Sequence, residues 1–182
     1  MGRVLDEITP PVRAFIAAQH VFFVATAPTT GGHVNCSPKG LDTFAVVSPR
    51  EVAYLDLTGS GAETIAHLRQ NGRITLMFCA FEGQPNIVRI YGRGEVLPTG
   101  SPDAEPFLAR WRAFPGARSV IRVAVSRVST SCGYAVPHLR YEGERSQLIE
   151  WADRKGPEGV EAYWGEKNVA SIDGLPALTE DR

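Results

Sequence analysis

Alternation of apolar and polar positions is the strongest pattern in the first 130 residues, and it predicts β-strands. In residues 87–97, Val88, Ile90 and Val96 share one face with two glycines, and the other face is polar. Successive side chains of a strand point to opposite faces, so this pattern predicts a strand with one buried face. Shorter β-rich apolar runs predict further strands at residues 21–27, 51–57, 73–81 and 120–128, and alternation predicts one at residues 34–39.

Helical signals lie between and after these runs. Thr9 followed by Pro10 is typical of a helix start. Ser60 and Glu63 have the spacing of a capping box, and Gly72 stands where a C-cap is expected, so residues 60–72 are predicted to be helical. Further helices are predicted at residues 103–112, 146–155 and 158–167, the last two separated by Gly156 and Pro157.

The order of these elements indicates a fold class that is mainly β with flanking helices. Most connections between strands are too short for parallel crossovers, so the sheet is expected to be largely antiparallel. The number of strands and the glycine-marked bends favour a small barrel. A chain of 182 residues fits one domain, here residues 1–140, with residues 141–182 as a C-terminal helical extension of it.

Composition narrows the classes of partner. Hydrophobic residues make up 43% and charged residues 21%, which is typical of a globular protein, and a net charge of -1 gives no field that favours nucleic acid or an anionic membrane. No apolar run approaches the roughly 20 residues that span a bilayer. Three cysteines without close spacing favour a reducing compartment, so a cytoplasmic location is expected. No histidine pair has metal-ligand spacing, so no metal site is expected, and His67 is expected on the surface.

Two segments could hold an anionic or heterocyclic ligand. In residues 58–64 a strand ends, glycines turn the chain and a helix begins, and the free N–H groups of such a turn attract phosphate. A plain helix start is the alternative. Asn35, Ser37 and Lys39 alternate onto one strand face, where a lysine beside small polar groups could bind a phosphate and a heterocycle. The alternative there is a solvated sheet face.

A third segment is a row of charged side chains on the polar face of residues 87–97. The row consists of Arg89, Tyr91, Arg93 and Glu95. Arginine binds phosphate through two parallel hydrogen bonds. Alternating charges also stabilise sheets through cross-strand pairs, and both interpretations remain open.

Four segments in this order, residues 34–40, 54–61, 71–78 and 89–95, resemble the pyridoxamine 5'-phosphate oxidase-like superfamily of FMN-binding split β-barrels. The resemblance implies a homodimer with two FMN sites at the subunit interface, and residues 1–140 would form the flavin-binding barrel. It implies that strand residues 35–39 line the isoalloxazine and ribityl chain, and that the turn at 56–64 meets the flavin and its phosphate. The implied cofactor-binding residues are Asn35, Cys36, Ser37, Pro38, Lys39, Asp56, Leu57, Thr58, Ser60, Thr64 and Arg89, the last from either subunit.

The sequence departs from this family at two points. Gly61, Ala62 and Glu63 stand where the family turn has basic residues, which shifts the expected positive charge to Lys39 and Arg89. The C-terminal segment that binds substrate in the true oxidase is absent, so oxidation of pyridoxamine 5'-phosphate is not expected. No catalytic residue is assigned.

Three functions remain open from the sequence. The first is an FMN-dependent oxidoreductase acting on a small organic molecule, in which the flavin itself carries the redox chemistry. The second is a non-catalytic module that binds or senses flavin or haem. The third is a reductase that uses a deazaflavin on the same barrel.

Overall fold

The computed structural model describes residues 2–178 and contains one eight-stranded sheet with antiparallel pairing throughout. The strands are β1 (Val4–Leu5), β2 (Phe22–Thr26), β3 (Asn35–Lys39), β4 (Phe44–Ser48), β5 (Glu51–Leu57), β6 (Arg73–Cys79), β7 (Ile87–Pro98) and β8 (Ala117–Ser131). The helices are α1 (Pro10–Ala17), α2 (Glu63–Asn71), α3 (Glu105–Leu108) and α4 (Gln147–Lys167).

The strand order is β3-β2-β6-β7-β8-β5-β4, with β1 added to β8. The edges are therefore β3 and β4, and no backbone bridge joins them within residues 2–178. The sheet curves around a common core but stays open between these two edges. The expected class, a largely antiparallel split barrel with flanking helices, is confirmed.

The core lies on the concave side of the sheet, where the alternating apolar positions converge. Val24, Leu76 and Ile90 are fully buried there, as the period-2 pattern predicts. Phe22 and Phe78 stack with ring centroids 5.6 Å apart. A second core on the convex side joins β5 and β8 to α3 and α4, and it includes Leu55, Leu57, Leu97, Phe114, Val120 and Leu148.

Gly92 allows β7 and β8 to approach closely where their register shifts. The shift falls between Tyr91 and Gly92, and a Cβ atom at Gly92 would overlap the carbonyl oxygen of Ala124. Only glycine leaves room for that backbone oxygen. This bulge helps the longest strand pair to bend around the core.

The predicted capping box is wrong. Helix α2 begins at Glu63 with Ala62 as its N-cap, and no side chain caps it. The Glu63 carboxylate accepts the backbone N–H of Ile172 instead, at 3.1 and 3.2 Å. A partner from the C-terminal segment has therefore displaced the local one.

Other boundaries differ from the prediction for local reasons. The helix expected at residues 103–112 shrinks to α3, because the residues after it form turns with i→i−3 hydrogen bonds, from the Arg110 N–H to the Phe107 carbonyl and from the Trp111 N–H to the Leu108 carbonyl. Strand β4 was not predicted, since all its residues are half-buried and its sequence does not alternate. His67 is fully buried rather than exposed. The break at Gly156 is confirmed, with φ 68° and ψ 168° inside α4.

Candidate functional site

The polar row of β3 faces the concave side of the sheet. The register pairs Ser37 with Val24 and Lys39 with Phe22, and paired residues of antiparallel strands point to the same side. Asn35, Ser37 and Lys39 are half-buried, whereas Cys36 and Pro38 are exposed on the convex side. The predicted alternation is confirmed, and the row looks into the open side of the barrel rather than into bulk water.

Hydrogen bonds connect this row to the first turn of α2. Ser37 Oγ donates to Asn35 Oδ1 at 3.0 Å, and Asn35 Nδ2 donates to Thr64 Oγ1 at 3.1 Å. Behind Thr64, the ring nitrogen Nδ1 of His67 lies 2.9 Å from Thr26 Oγ1. Burial lowers the pKa of His67, which keeps the imidazole neutral near pH 7. Asn35, Ser37 and Thr64 are thus brought together, which agrees with the resemblance's placing of strand residues 35–39 and the 56–64 turn at one site.

A buried carboxylate organises the cations of the site. Asp56 is 0% exposed, and its two oxygens accept from Lys39 Nζ at 3.2 Å and Arg118 Nε at 2.6 Å. Burial alone would raise the pKa of Asp56, but Arg118 and Lys39 outweigh it and the pKa is lowered. The three groups carry a net charge of +1. The Lys39 side chain is 22% exposed and Arg118 only 5%, so Lys39 is the accessible end of this cluster.

Arg118 is the member of this cluster that the sequence did not single out. Its Nη1 donates to the carbonyl of Gly61 at 3.0 Å and to Asn168 Oδ1 at 2.8 Å. Asn168 Nδ2 in turn donates to the carbonyl of Gly59 at 3.1 Å, so a C-terminal residue fixes the turn. The available signal was an arginine at the entry to a buried apolar strand, where a charge needs a partner.

Leu57 and Thr58 lie away from the polar row. Leu57 points to the convex side and belongs to the second core. Thr58 Oγ1 donates to the carbonyl of Gly116 and accepts from Trp164 Nε1, both at 2.7 Å. Ser60 is exposed at the tip of the turn. Of the predicted turn residues, Asp56 and Thr64 alone contact the row through their side chains within the described chain.

The turn's own charged side chains, Asp56 and Glu63, are acidic, and the cation that reaches the turn is Arg118, at the Gly61 carbonyl. Glu63 lies at the helix start, and Asp173 Oδ1 lies 2.7 Å from His33 Nδ1. The backbone N–H of His33 also donates to Asp173, and these bonds lower the pKa of the carboxyl. Glu63 at the helix start opposes a phosphate there, despite the helix dipole.

Arg89 lies on the convex face of the sheet. The register aligns it with Met77, Phe23 and Pro38. Its Nη1 donates to Ser131 Oγ at 3.1 Å. Within one chain it therefore does not join Lys39, which points to the concave side.

The buried hydroxyl of Ser119, the cross-strand neighbour of Asp56, lacks a hydrogen-bond partner among the described residues. The hydroxyl of Tyr54, two positions before Asp56, is buried beside Thr64. Burial raises the pKa of Tyr54 well above its usual value, so its hydroxyl stays protonated. Within residues 2–178 no group of three or more histidine, cysteine or acidic side chains could hold a metal ion. No helix in this part of the chain is long and apolar enough to cross a membrane.

Comparison with known proteins places the chain in a family. The family model of pyridoxamine 5'-phosphate oxidase matches residues 8–132. The pyridoxamine 5'-phosphate oxidase family protein ustO of Aspergillus flavus is 38% identical over 190 residues, covering 95% of this chain and 76% of ustO.

Solved structures share the fold. HupZ from Group A Streptococcus matches with a TM-score of 0.53 and 22% identity, covering 66% of this chain and 91% of HupZ. A Lactobacillus delbrueckii protein, provisionally assigned as a pyridoxamine 5'-phosphate oxidase, matches with a TM-score of 0.53 and 17% identity over 68% of this chain and 94% of its own. On its fold, the matched segment and the identity to ustO, the chain belongs to the pyridoxamine 5'-phosphate oxidase family.

Proposed function

We propose that the protein is an FMN-dependent oxidoreductase that acts on a small organic substrate. The observation that carries this proposal is the Lys39–Asp56–Arg118 cluster, which has a net positive charge and a single accessible cation. Lys39 lies on the same strand face as Asn35 and Ser37, so one ligand can meet all three. Membership in the family supports a flavin as that ligand.

The polar row fits the ring and ribityl portions of FMN. Lys39 would donate to the electron-rich edge of the isoalloxazine, and a nearby positive charge favours the reduced, more anionic flavin. Asn35 and Ser37 would bind ribityl hydroxyls. The unpartnered hydroxyl of Ser119 leaves polar capacity unused beside Asp56. Bound flavin supplies the hydride or electron transfer, and the chain orients it and sets its surroundings.

The phosphate needs a cation that the turn of the same chain does not supply. Lys39 and Arg118 share Asp56, and Glu63 lies at the helix start. A homodimer would resolve this, because Arg89 lies on a convex face where Met77 and Tyr91 are half-exposed. We propose that a second copy packs on this face, and that Arg89 of the partner subunit approaches the phosphate near Ser60.

Purification of the untagged chain tests the cofactor. Mass spectrometry and the absorption spectrum of the bound molecule should identify FMN, and a deazaflavin or haem would replace this proposal. Bleaching by a reduced nicotinamide, followed by reoxidation with a test substrate, would distinguish an enzyme from a carrier. A monomeric mass at micromolar concentration would contradict the dimer, and normal FMN affinity in Arg89→Ala would remove Arg89 from the site.

The same proposal includes expectations about the substrate, the cellular location and nucleic-acid binding. The segment that binds substrate in the true oxidase is absent, so turnover of pyridoxamine 5'-phosphate should be negligible. The cysteines Cys36, Cys79 and Cys132 are unpaired, which suits a cytoplasmic protein. A salt-sensitive shift of an oligonucleotide would contradict the expected lack of nucleic-acid binding.

A further inference from the structure

A large cavity adjoins the accessible end of the Lys39 cluster. Its volume is about 1010 Å³, which is enough for a small organic ligand. Lys39 and Pro38 form one side of it. Its apolar lining comprises Val21, Phe23, Leu41, Phe81, Leu139 and Leu148.

A segment between β8 and α4, residues 139–145, covers one side of this cavity; we call it the covering segment. Tyr141 stacks on His20 with ring centroids 3.6 Å apart and an interplanar angle of 6°. The backbone N–H of Tyr141 donates to Glu82 at 3.2 Å, and that of Leu139 donates to the carbonyl of Phe81 at 3.0 Å. These contacts fix the covering segment against the β2 and β6 ends of the sheet.

The acidic side chains near the covering segment accept hydrogen bonds from the chain, whereas its two arginines have no described carboxylate partner. Glu144 accepts from the Leu41 N–H at 3.1 Å and from the Tyr141 hydroxyl at 3.0 Å, and Glu82 accepts from Tyr141. Arg140 and Arg145 also line the cavity, and no described carboxylate lies within 4.0 Å of either guanidinium. Three cationic and two acidic side chains therefore face a mainly apolar space, and the acids are engaged by the chain itself.

We propose that this cavity binds the substrate, and that the substrate is an aromatic carboxylate. The aromatic side chains of Phe23, Phe81 and Tyr141 suit a flat apolar body, and guanidinium groups bind carboxylates through paired hydrogen bonds. The proposed binding is argued from the cavity alone. Its role as the substrate site rests on the proposed flavin function, because Lys39 borders both.

Binding of 2-naphthoate to the full chain, measured by calorimetry, tests the proposal. We expect saturable binding, and a dissociation constant at least about tenfold higher for the neutral isostere 2-naphthamide. Arg140→Gln/Arg145→Gln should weaken 2-naphthoate at least about tenfold and leave 2-naphthamide unchanged. The matched control, Arg50→Gln/Arg154→Gln, changes two exposed arginines away from the cavity and should bind 2-naphthoate like the wild type.

Equal affinity for the acid and the amide, or normal 2-naphthoate binding by the Arg140/Arg145 variant, would overturn the proposed ligand class. FMN titration of the same samples separates this result from the flavin proposal. If 2-naphthoate binds as expected but FMN does not, the cavity remains an organic-acid site and its role as a substrate site is refuted. If FMN binds and 2-naphthoate does not, the flavin proposal stands and this one fails.

Discussion

Lys39 Nζ lies 3.2 Å from Asp56 Oδ1, and this ion pair spans the opening between the two edges of the sheet. Strand β3 is one edge, and β5 lies next to β4 at the other. Residue pairing between β4 and β5 ends at Phe44 and Tyr54, followed by one hydrogen bond from the Leu55 N–H to the Thr43 carbonyl. Side-chain charges thus connect β3 to β5 where strand pairing does not. The proposed ligand site and the stability of this end therefore depend on the same groups.

Lys39→Ala should weaken FMN binding on the order of ten- to hundredfold, because it removes a charge-assisted hydrogen bond worth roughly 1.5–3 kcal/mol. Lys39→Gln should give an intermediate value, since it keeps a donor. FMN titration of the ligand-free variants measures the effect. Equal affinities would remove Lys39 from the site.

The same substitution should lower the melting temperature of the ligand-free protein. A surface lysine would contribute little to folding, but Lys39 pairs with a carboxylate that is 0% exposed. Thermal unfolding without FMN checks this, and an unchanged melting temperature would show that Arg118 alone satisfies Asp56.

Asp56→Asn should be strongly destabilising, because it leaves the buried guanidinium of Arg118 without its carboxylate. Breaking a buried ion pair from one side costs about 3–5 kcal/mol of unfolding free energy. Glu51→Gln is the matched control, since its partner Arg122 is exposed and such pairs contribute about 0–1 kcal/mol. Denaturant unfolding compares the two, and similar losses would refute the structural role of Asp56.

The stability of the wild type should fall in acid more steeply than that of Asp56→Asn. The pKa of Asp56 is lowered in the folded chain, so the unfolded chain binds more protons as pH drops below about 4. The stabilisation is complete above the unfolded pKa and is lost as pH falls through the folded one. Unfolding free energies measured at several pH values from about 7 to about 3 test this, and parallel curves for the two proteins would contradict it.

Gly156→Ala should destabilise the protein by about 1–3 kcal/mol, because φ 68° with ψ 168° is a backbone region that essentially only glycine adopts. Gly165→Ala is the control in the same helix. It has no positive φ and no atom within 4 Å of the added Cβ, so alanine should raise stability by about 0.5–1 kcal/mol. Thermal melts of both variants decide the matter; a neutral Gly156→Ala would mean that α4 can straighten.

Local sequence patterns were enough to predict most of the strands and helices. Alternation alone placed Asn35, Ser37 and Lys39 on one face, and the glycine and proline at 156 and 157 marked the break in α4. Strand β4 was not predicted, because an edge strand with both faces half-buried shows no alternation of apolar and polar residues. An element can therefore be predicted from the sequence when one of its faces is more buried than the other.

The site was less predictable because its partners are distant in the chain. Arg118 contacts Asp56 across 62 positions and Asn168 across 50. Glu63 is bound by Ile172, 109 residues away, although Ser60 offered the local cap. The sequence shows that Lys39 and Asp56 are charged, but only the strand order shows that they meet.

Pro38 affects how the edge strand β3 can pair with strands of other protein chains. An exposed edge can accept a strand from a neighbouring chain, which is how many β-proteins aggregate. Strand β3 is only five residues long, and Pro38 contributes no N–H to any further ladder. Growth of the sheet from this edge is thereby hindered, and crowded copies of this protein should resist strand-by-strand polymerisation along β3 while their sheet faces remain free to meet.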